Sequence, residues 1–444
     1  MNEEPLTPDQ EPPQKTQNVF RNKNFSLVFL GALVSNVAAL FYSFAVSFYI
    51  LKITDNNALI QGLYLAVGGI TFCLSTLFGG VVADRFDKAK IMYLCDYAKG
   101  AIIIGFTFLL MFVIRSTGWQ IASLFIVTVL LNIIAGLFTP ASSALLPLIV
   151  KEQQFQQAQS YFSILSSFQT IVGVVLAGVL YTLIPLDVLF FIVGGCYVLS
   201  AISEMFIKYT SEFEKRDEKL TVKAVFGDIK DGFRYLASIK ALLVMMVCIL
   251  FVNFFFSPVF DNFPPYFIAT DIAGTNYLFH DLVAPEMWNS FFSVAVGLGS
   301  LIMGIVLSSL KQADKCNRVV RWSMMGVSSL VGLMAVFYAL FINQVIDINA
   351  LLIVLMIILF LIGASVILIN VPSSTAMMKI VDKDKLGKIS SVINIGSQGL
   401  VPLSMFLGGL AITYLGSLGL LIVCASGLLL TSIVLFFAPS VRKI

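Results

Sequence analysis

Pro140-Ala141-Ser142-Ser143-Ala144-Leu145-Leu146 and Pro372-Ser373-Ser374-Thr375-Ala376-Met377-Met378 are two copies of one pattern. Each stands at the end of a long apolar run, the fourth run of its half of the chain. Past one gap the match continues, Phe155 with Leu386, Ser160 with Ser391, and Ala177-Gly178 with Gly408-Gly409. A long-period match of this kind marks a duplicated structural unit. A duplicated unit of apolar helices is the architecture of a carrier with its solute site between the halves, near the bilayer midplane.

The runs around these motifs are Ser26–Leu51, Leu59–Ala83, Ile91–Ile114, Trp119–Leu146, Ser160–Leu183, Val188–Ile207, Ala241–Val259, Asn289–Leu310, Val320–Phe341, Ala350–Thr375, Ser390–Tyr414 and Ser417–Phe437. Each has roughly the 20 apolar residues that cross a hydrocarbon core of about 30 Å as a helix. The backbone in lipid must satisfy its own hydrogen bonds, so the spans are helical. The expected fold class is therefore an all-α membrane protein, twelve transmembrane helices in two pseudo-symmetric six-helix bundles. Composition agrees, with 58% hydrophobic and only 12% charged residues, against about 25% charged in a soluble domain.

Of the 28 lysines and arginines, all but Lys52, Lys99 and Arg115 fall in segments that lie on one side of such a bundle. Cytoplasmic loops retain positive charge, so both termini are expected in the cytoplasm and the protein in the cell membrane. The expected organisation is a proline-rich polar tail (residues 1–25), an N-terminal bundle (26–208), a charged linker (209–240) and a C-terminal bundle (241–444). Within the linker, Val225 to Leu236 has the pattern of a short interfacial helix. The six cysteines offer no external pair for a disulfide. His280 stands in the longest external loop without a second ligand nearby, so no metal site and no cofactor are expected.

Gly80-Val81-Val82-Ala83-Asp84-Arg85-Phe86-Asp87-Lys88-Ala89-Lys90 lies between the second and third runs. It resembles the signature loop of the major facilitator superfamily, Gly-x-x-x-Asp-Arg-x-Gly followed by basic residues, with Asp87 in place of the second glycine. Asp96 and Lys99, Phe138-Thr139-Pro140-Ala141, Pro147-Leu148-Ile149-Val150 and Asp231-Gly232-Phe233-Arg234-Tyr235-Leu236 extend the resemblance across the chain. The pattern is similar to the drug:proton antiporter group, which contains macrolide-efflux proteins and the enterobactin exporter. The chain departs from that group in two places. The second-half loop, Gly304 to Ser309, lacks the Asp-Arg pair, and Gly173 to Gly178 in the fifth run lacks the proline of many exporters.

The resemblance implies a conformational latch built from Gly80, Asp84, Arg85 and Lys88, with Asp96 and Lys99 as neighbours. A physical basis exists apart from the family: Asp84 at an inner helix end can meet the positive N-terminus of a helix from the other half. Asp96 and Lys99, three apart on one helix, can neutralise each other. Glu204, near Lys208 at the inner end of the sixth run, reads as a surface ion pair.

Polar residues at helical spacing mark the faces turned from lipid, Ser160, Ser163, Ser167 and Thr170 in the fifth run and Ser391, Asn394 and Gln398 in the eleventh. Asn253, Ser257 and Asp261 recur every four residues beside Pro258, Pro264 and Pro265, as expected of a bent outer end lining a polar cavity. Family geometry adds Asn36, Ser43, Asn132 and Asn370 as cavity candidates. For each of these asparagines an interhelical hydrogen bond is the default role and a place in the cavity wall the alternative.

No Gly-x-x-x-x-Gly-Lys-Ser/Thr loop is present to bind ATP. A proton crossing 100 mV supplies about 2.3 kcal/mol, and Asp261 and Asp96 are the acids placed to carry it. No set of nucleophile, base and orienting group suggests an enzyme. The sequence thus reads as a secondary exporter of amphipathic organic compounds working by alternating access. Its expected partners are a small amphipathic substrate, protons and membrane lipids, without nucleic acid and as a monomer. A lipid or lysolipid carrier, or a membrane sensor that transports nothing, are the alternatives.

Overall fold

A computed structural model describes residues 18–209, 234, 239–277, 279–309, 316–380 and 396–437. The 1–17 tail, nearly all of the 209–240 linker with its expected interfacial helix, positions 386 and 391 of the repeat and position 394 of the eleventh-run stripe lie outside the described residues. The helices are α1 (Lys23–Ile53), α2 (Ala58–Arg85), α3 (Lys88–Phe112), α4 (Thr117–Ile149), α5 (Glu152–Phe168, carried through a π turn at Gln169–Gly173 into Val174–Leu183) and α6 (Leu186–Met205) in the first half. The second half holds α7 (Lys240–Asp261, extended by Phe263–Phe267 and a π turn at Ile268–Ile272), α8 (Met287–Ser309), α9 (Cys316–Ile342) and α10 (Ile348–Ile380). Val401–Phe437 holds two passes, α11 and α12, divided at Gly416.

Eleven described helices are long and apolar enough to span a membrane. The last of them, Gly396–Phe437, has 42 residues, which at 1.5 Å per residue would reach about 63 Å, twice a hydrocarbon core. Gly416 resolves the excess. Its φ of 71° lies where a side chain is strained, so the chain turns there and the twelve passes read from the sequence are recovered. Short turns elsewhere are closed by local caps. Asn22 accepts from Asn24 N and Phe25 N, Asn57 accepts from Ile60 N at 3.1 Å, and Asp347 accepts from Ala350 N at 3.2 Å. The hydrogen bonds from Asn349 and Ala350 hold the Asp347 carboxyl below its ordinary range.

The duplication is visible in the packing. In the first half α2 lies against α4 so closely that a Cβ on Gly79 would collide with the Gly136 carbonyl. In the second half α8 meets α10 in the same way, Gly299 against the Phe360 carbonyl and Gly363 against that of Val296. Small residues allow this approach where the hydrophobic effect gives helices no reason to associate. Across the halves, Gly178 of α5 abuts Ser290 of α8, whose hydroxyl donates to the Val174 carbonyl at 2.7 Å. Gly409 of α11 abuts Ala58 and Gly62 of α2. The paired Ala177-Gly178 and Gly408-Gly409 of the repeat are thus both seams between the bundles. Leu74, Phe78 and Ile126 are more than half exposed, as side chains turned to lipid are.

These seams share one end of the molecule, the end away from the α2–α3 and α4–α5 turns. There a single apolar core joins the halves and includes Phe44 and Phe48 of α1, Phe263 and Phe267 of α7, Phe292 of α8 and Tyr338 of α9. At the opposite end the buried clusters are separate. One belongs to the first half, around Phe25, Val28, Met92 and Leu145, and one to the second, around Cys248, Val320, Met324 and Leu435. Ser163, Ser166, Ser167 and Thr170 of α5 are exposed toward that end, their hydroxyls bonded to their own helix. Thr170, at the end of this stripe, faces Gly297 of α8, so the stripe runs from exposed positions to a contact between the bundles.

Candidate functional site

Between the bundles lies a cavity of about 710 Å³. Its walls come from α1, α2, α4, α7 and α8, with Lys99 of α3, Val174 of α5 and Tyr197 of α6 reaching in. Asn36, Leu40, Ser43 and Ser47 fall on one face of α1 by their spacing of four, three and four, and all four line the cavity. Asn132 of α4 lines it too, its amide donating to the Thr128 carbonyl at 2.9 Å. Of the expected cavity residues, Asn36, Ser43 and Asn132 are brought together here.

Asn253, Ser257 and Asn370 are not in this lining. Asn253 spends its amide on the Ser397 carbonyl at 3.1 Å, fastening α7 to the start of the α11 pass. Ser257 is half-buried, and Asn370 is exposed on α10. Asp261 does line the cavity, and its side chain is exposed to it. The sequence places this acid just past the end of its run, near the outer boundary; the structure moves it inward. Pro264 and Pro265 occupy the first turn of the Phe263–Phe267 helix, where a missing N–H costs nothing. The pass accordingly continues to Ile272, and at 1.5 Å per residue Asp261 lies on the order of 16 Å inside its outer end. Next to it, buried Asn262 donates to the Met405 carbonyl at 3.0 Å and holds the bend against α11.

Residues 27–403 match the family described as Major Facilitator Superfamily. The chain belongs to that superfamily. Among curated relatives it is 25% identical over 400 residues to the uncharacterized MFS-type transporter YvqJ of Bacillus subtilis (strain 168), covering 89% of this chain and 87% of the relative. To YkuC of the same strain it is 27% identical over 304 residues, 66% of each chain. It is 22% identical over 284 residues to macrolide efflux protein A of Streptococcus pyogenes, covering 63% of this chain and 66% of that one. Among solved structures, a D-xylose-proton symporter superposes with a TM-score of 0.70 at 12% identity, over 96% of this chain and 100% of the symporter. A bacterial homologue of the iron transporter ferroportin, in an inward-facing state, gives 0.67 at 16% identity, over 95% and 99%. At such identities the likeness establishes the fold, an all-helical transporter architecture, and not the solute.

The superfamily loop is built from the end of α2 and the start of α3. Gly80 has open space about it, and Arg85 is exposed; the Asp84 side chain lies outside the described residues. Asp87, which stands where the family has glycine, caps α3 by accepting from Lys90 N at 3.2 Å. Tyr209 crosses from the end of the first half, donating to Asp87 Oδ1 at 3.0 Å and accepting from the Lys88 N–H at 2.9 Å. Partial burial raises the Tyr209 phenol above its ordinary value, so it remains a donor. Asp96 and Lys99 form the expected ion pair, at 3.0 Å, but well inside the bundle, where Lys99 lies over the rings of Phe138 and Tyr197. Glu204 departs from expectation. It makes no surface pair with Lys208, which is exposed and uses its backbone N–H on Asn24 Oδ1 at 3.0 Å. Instead Glu204 is fully buried against Gly31 of α1.

Sequence reading also missed the wall between α1, α2 and α4. Tyr42, Gln61, Tyr64 and Thr128 all line the cavity. The hydroxyls of Tyr42, Tyr64 and Thr128 face one another, while both polar atoms of the Gln61 amide have no hydrogen-bond partner among the described residues. A lone glutamine in an apolar run was the available signal, since such residues in a membrane mark a pathway by default. Among the described residues no group of three His, Cys, Asp or Glu could hold a metal. His280 sits in the loop between α7 and α8 beside Asp281, at 3.1 Å.

Proposed function

We propose that this superfamily member exports amphipathic, macrolide-like organic compounds in exchange for protons, by alternating access between bundles 26–208 and 241–444. The observation that carries this reading is the cavity itself. It lies between the halves, ends at a core common to both, and mixes aromatic and aliphatic side chains with about as many polar ones, among them Asn36, Gln61, Lys99, Asn132 and one acid, Asp261. Such a lining suits an amphipathic solute that brings an apolar body together with its own hydroxyls or an amine. The likeness to macrolide efflux protein A supports the same solute class.

The basic segments set the orientation, with both termini cytoplasmic and the open end facing the cytoplasm, so a solute enters from inside or from the inner leaflet. Asp261, exposed in the cavity, and Asp96 are the acids that couple its movement to protons. The loop carrying Gly80, Asp84, Arg85 and Lys88 acts as the latch of the inward-closed state. The deciding experiment uses purified protein in liposomes, with labelled erythromycin and tetraphenylphosphonium as probes under an imposed pH gradient. Accumulation of either probe that collapses with the gradient supports the reading. Transport that ignores the gradient removes the proton, and flux of neither probe removes the solute class.

A further inference from the structure

Asp96, Lys99 and Glu204 form a buried group with two acids and one base. Asp96 and Glu204 are fully buried, and Lys99 is 8% exposed. Lys99 Nζ bonds Asp96 Oδ1 at 3.0 Å, which leaves Asp96 Oδ2 and both Glu204 oxygens without a hydrogen-bond partner among the described residues. The charges acting on Glu204 are Asp96 and Lys99, both from α3. Cys95 of α3 is also close by. α6 adds Tyr197, whose phenol feels Asp96. α1 contributes Gly31, where a Cβ would stand 3.0 Å from Glu204 Cγ, and α4 contributes the Phe138 ring, 4.3 Å from Lys99 Nζ.

An uncompensated carboxylate in a site this dry carries a desolvation cost that a paired one escapes. The group is neutral only with one proton bound, because the single ammonium is already committed to Asp96. Lys99 is at the same time part of the cavity wall. Of the three, it alone stands both in the buried charge group and at the solute. We infer that Glu204, Asp96 and Lys99 form a proton-binding site in addition to Asp261, with one exchangeable proton on Glu204 and Lys99 as the contact through which the cavity senses it. The inference rests on the proton-coupled reading above and assigns that reading a site the sequence does not reveal.

The step is a proton transfer alone. Lys99, which lines the cavity, gives one ammonium proton to a Glu204 oxygen and is reprotonated by a hydronium ion in the cavity, which leaves as water, and the Asp96–Lys99 bond is kept. A cationic solute arriving beside Lys99 adds positive charge next to the group, which then holds the Glu204 proton less tightly, and this is how solute and proton would exclude one another.

Infrared difference spectra between alkaline and acid pH, on the purified full chain in liposomes, test the site without any substrate. Wild-type protein should show a carboxylic-acid C=O stretch that titrates and shifts in D₂O. Glu204→Gln should lose it. Asp96→Asn should lose it too, since Lys99 and Glu204 then balance. Lys99→Gln should gain a second such band, because two protons are then needed for neutrality. Glu204→Asp should restore the single band and so guards against misfolding as the cause of its loss. Spectra of wild type and Glu204→Gln that superimpose in this region overturn the site, as does a Lys99→Gln spectrum without the added band. Absence of flux of both erythromycin and tetraphenylphosphonium with these spectra as expected would overturn the export reading alone.

Discussion

Asp261 and Gln61 show how a single side chain in this cavity can be assigned by what it lacks. Asp261 is exposed to the cavity at depth, and Asp261→Asn keeps its shape while removing the charge change. If Asp261 couples, this variant loses pH-driven erythromycin accumulation in liposomes and keeps erythromycin exchange. Unaltered accumulation would make Asp261 a structural residue of the proline bend and leave coupling to the Asp96 group. Gln61 is 1% exposed and has neither amide atom satisfied. An unsatisfied buried group costs about 1–3 kcal/mol, so Gln61→Leu should raise the melting temperature in detergent. If the amide binds solute, erythromycin flux should fall in the same variant. Both effects together are the signature of a residue kept for function at the expense of stability. A Gln61→Leu protein that is less stable would show that the amide is satisfied by something else.

At the scale of elements, glycines and prolines determine where passes begin and end. Gly416 holds φ of 71° between α11 and α12. A Cβ there costs roughly 1–2 kcal/mol, so Gly416→Ala should lower the melting temperature. Gly304, inside α8 with nothing within 4 Å of its would-be Cβ, offers the control. Gly304→Ala should be neutral or stabilising by up to about 1 kcal/mol, and equal losses in the two variants would contradict the turn assignment. α7 gives the opposite lesson. Its three prolines suggest an early end, yet Pro258 is accommodated inside the helix and Pro264 and Pro265 restart it.

At the scale of the whole molecule, transport requires the end that is open here to close and the sealed end to part. Ser163 of α5 is exposed toward the end where each half keeps its own buried cluster, so Ser163→Cys should react with impermeant maleimides from the cytoplasmic face and be shielded from outside in intact cells. Labelling from outside would reverse the orientation argued from the basic segments. If Asp84 fastens the inward-closed state on a helix N-terminus, the contact is worth about 0.3–1 kcal/mol. Adding Asp84→Asn to the Ser163→Cys variant should then speed its maleimide labelling about two- to fivefold and slow turnover, by shifting population toward the open state. An unchanged labelling rate would reduce Asp84 to a surface charge.

The number of passes, the duplicated halves and the superfamily loop were legible in the chain, because lipid imposes one rule on every residue of a span. Apolar runs, basic loops and small-residue seams such as Ala177-Gly178 are local consequences of that rule. The cavity was legible only in part. Asn36, Ser43, Asn132 and Asp261 betray themselves as polar residues in apolar runs, but the same signal marks Asn253, which ties two helices, and Asn370, which lies elsewhere. Which polar residue meets the solute depends on the rotation of each helix against its neighbours, and spacing along one helix does not contain that rotation. Glu204 is the clearest case. Next to Lys208 in sequence it reads as a surface charge, and only the packing of α6 on α1 and α3 reveals a buried acid beside Asp96 and Lys99. Tertiary structure decides this because the energy of a charge depends on the medium and partners around it, and those come from residues far away in the chain.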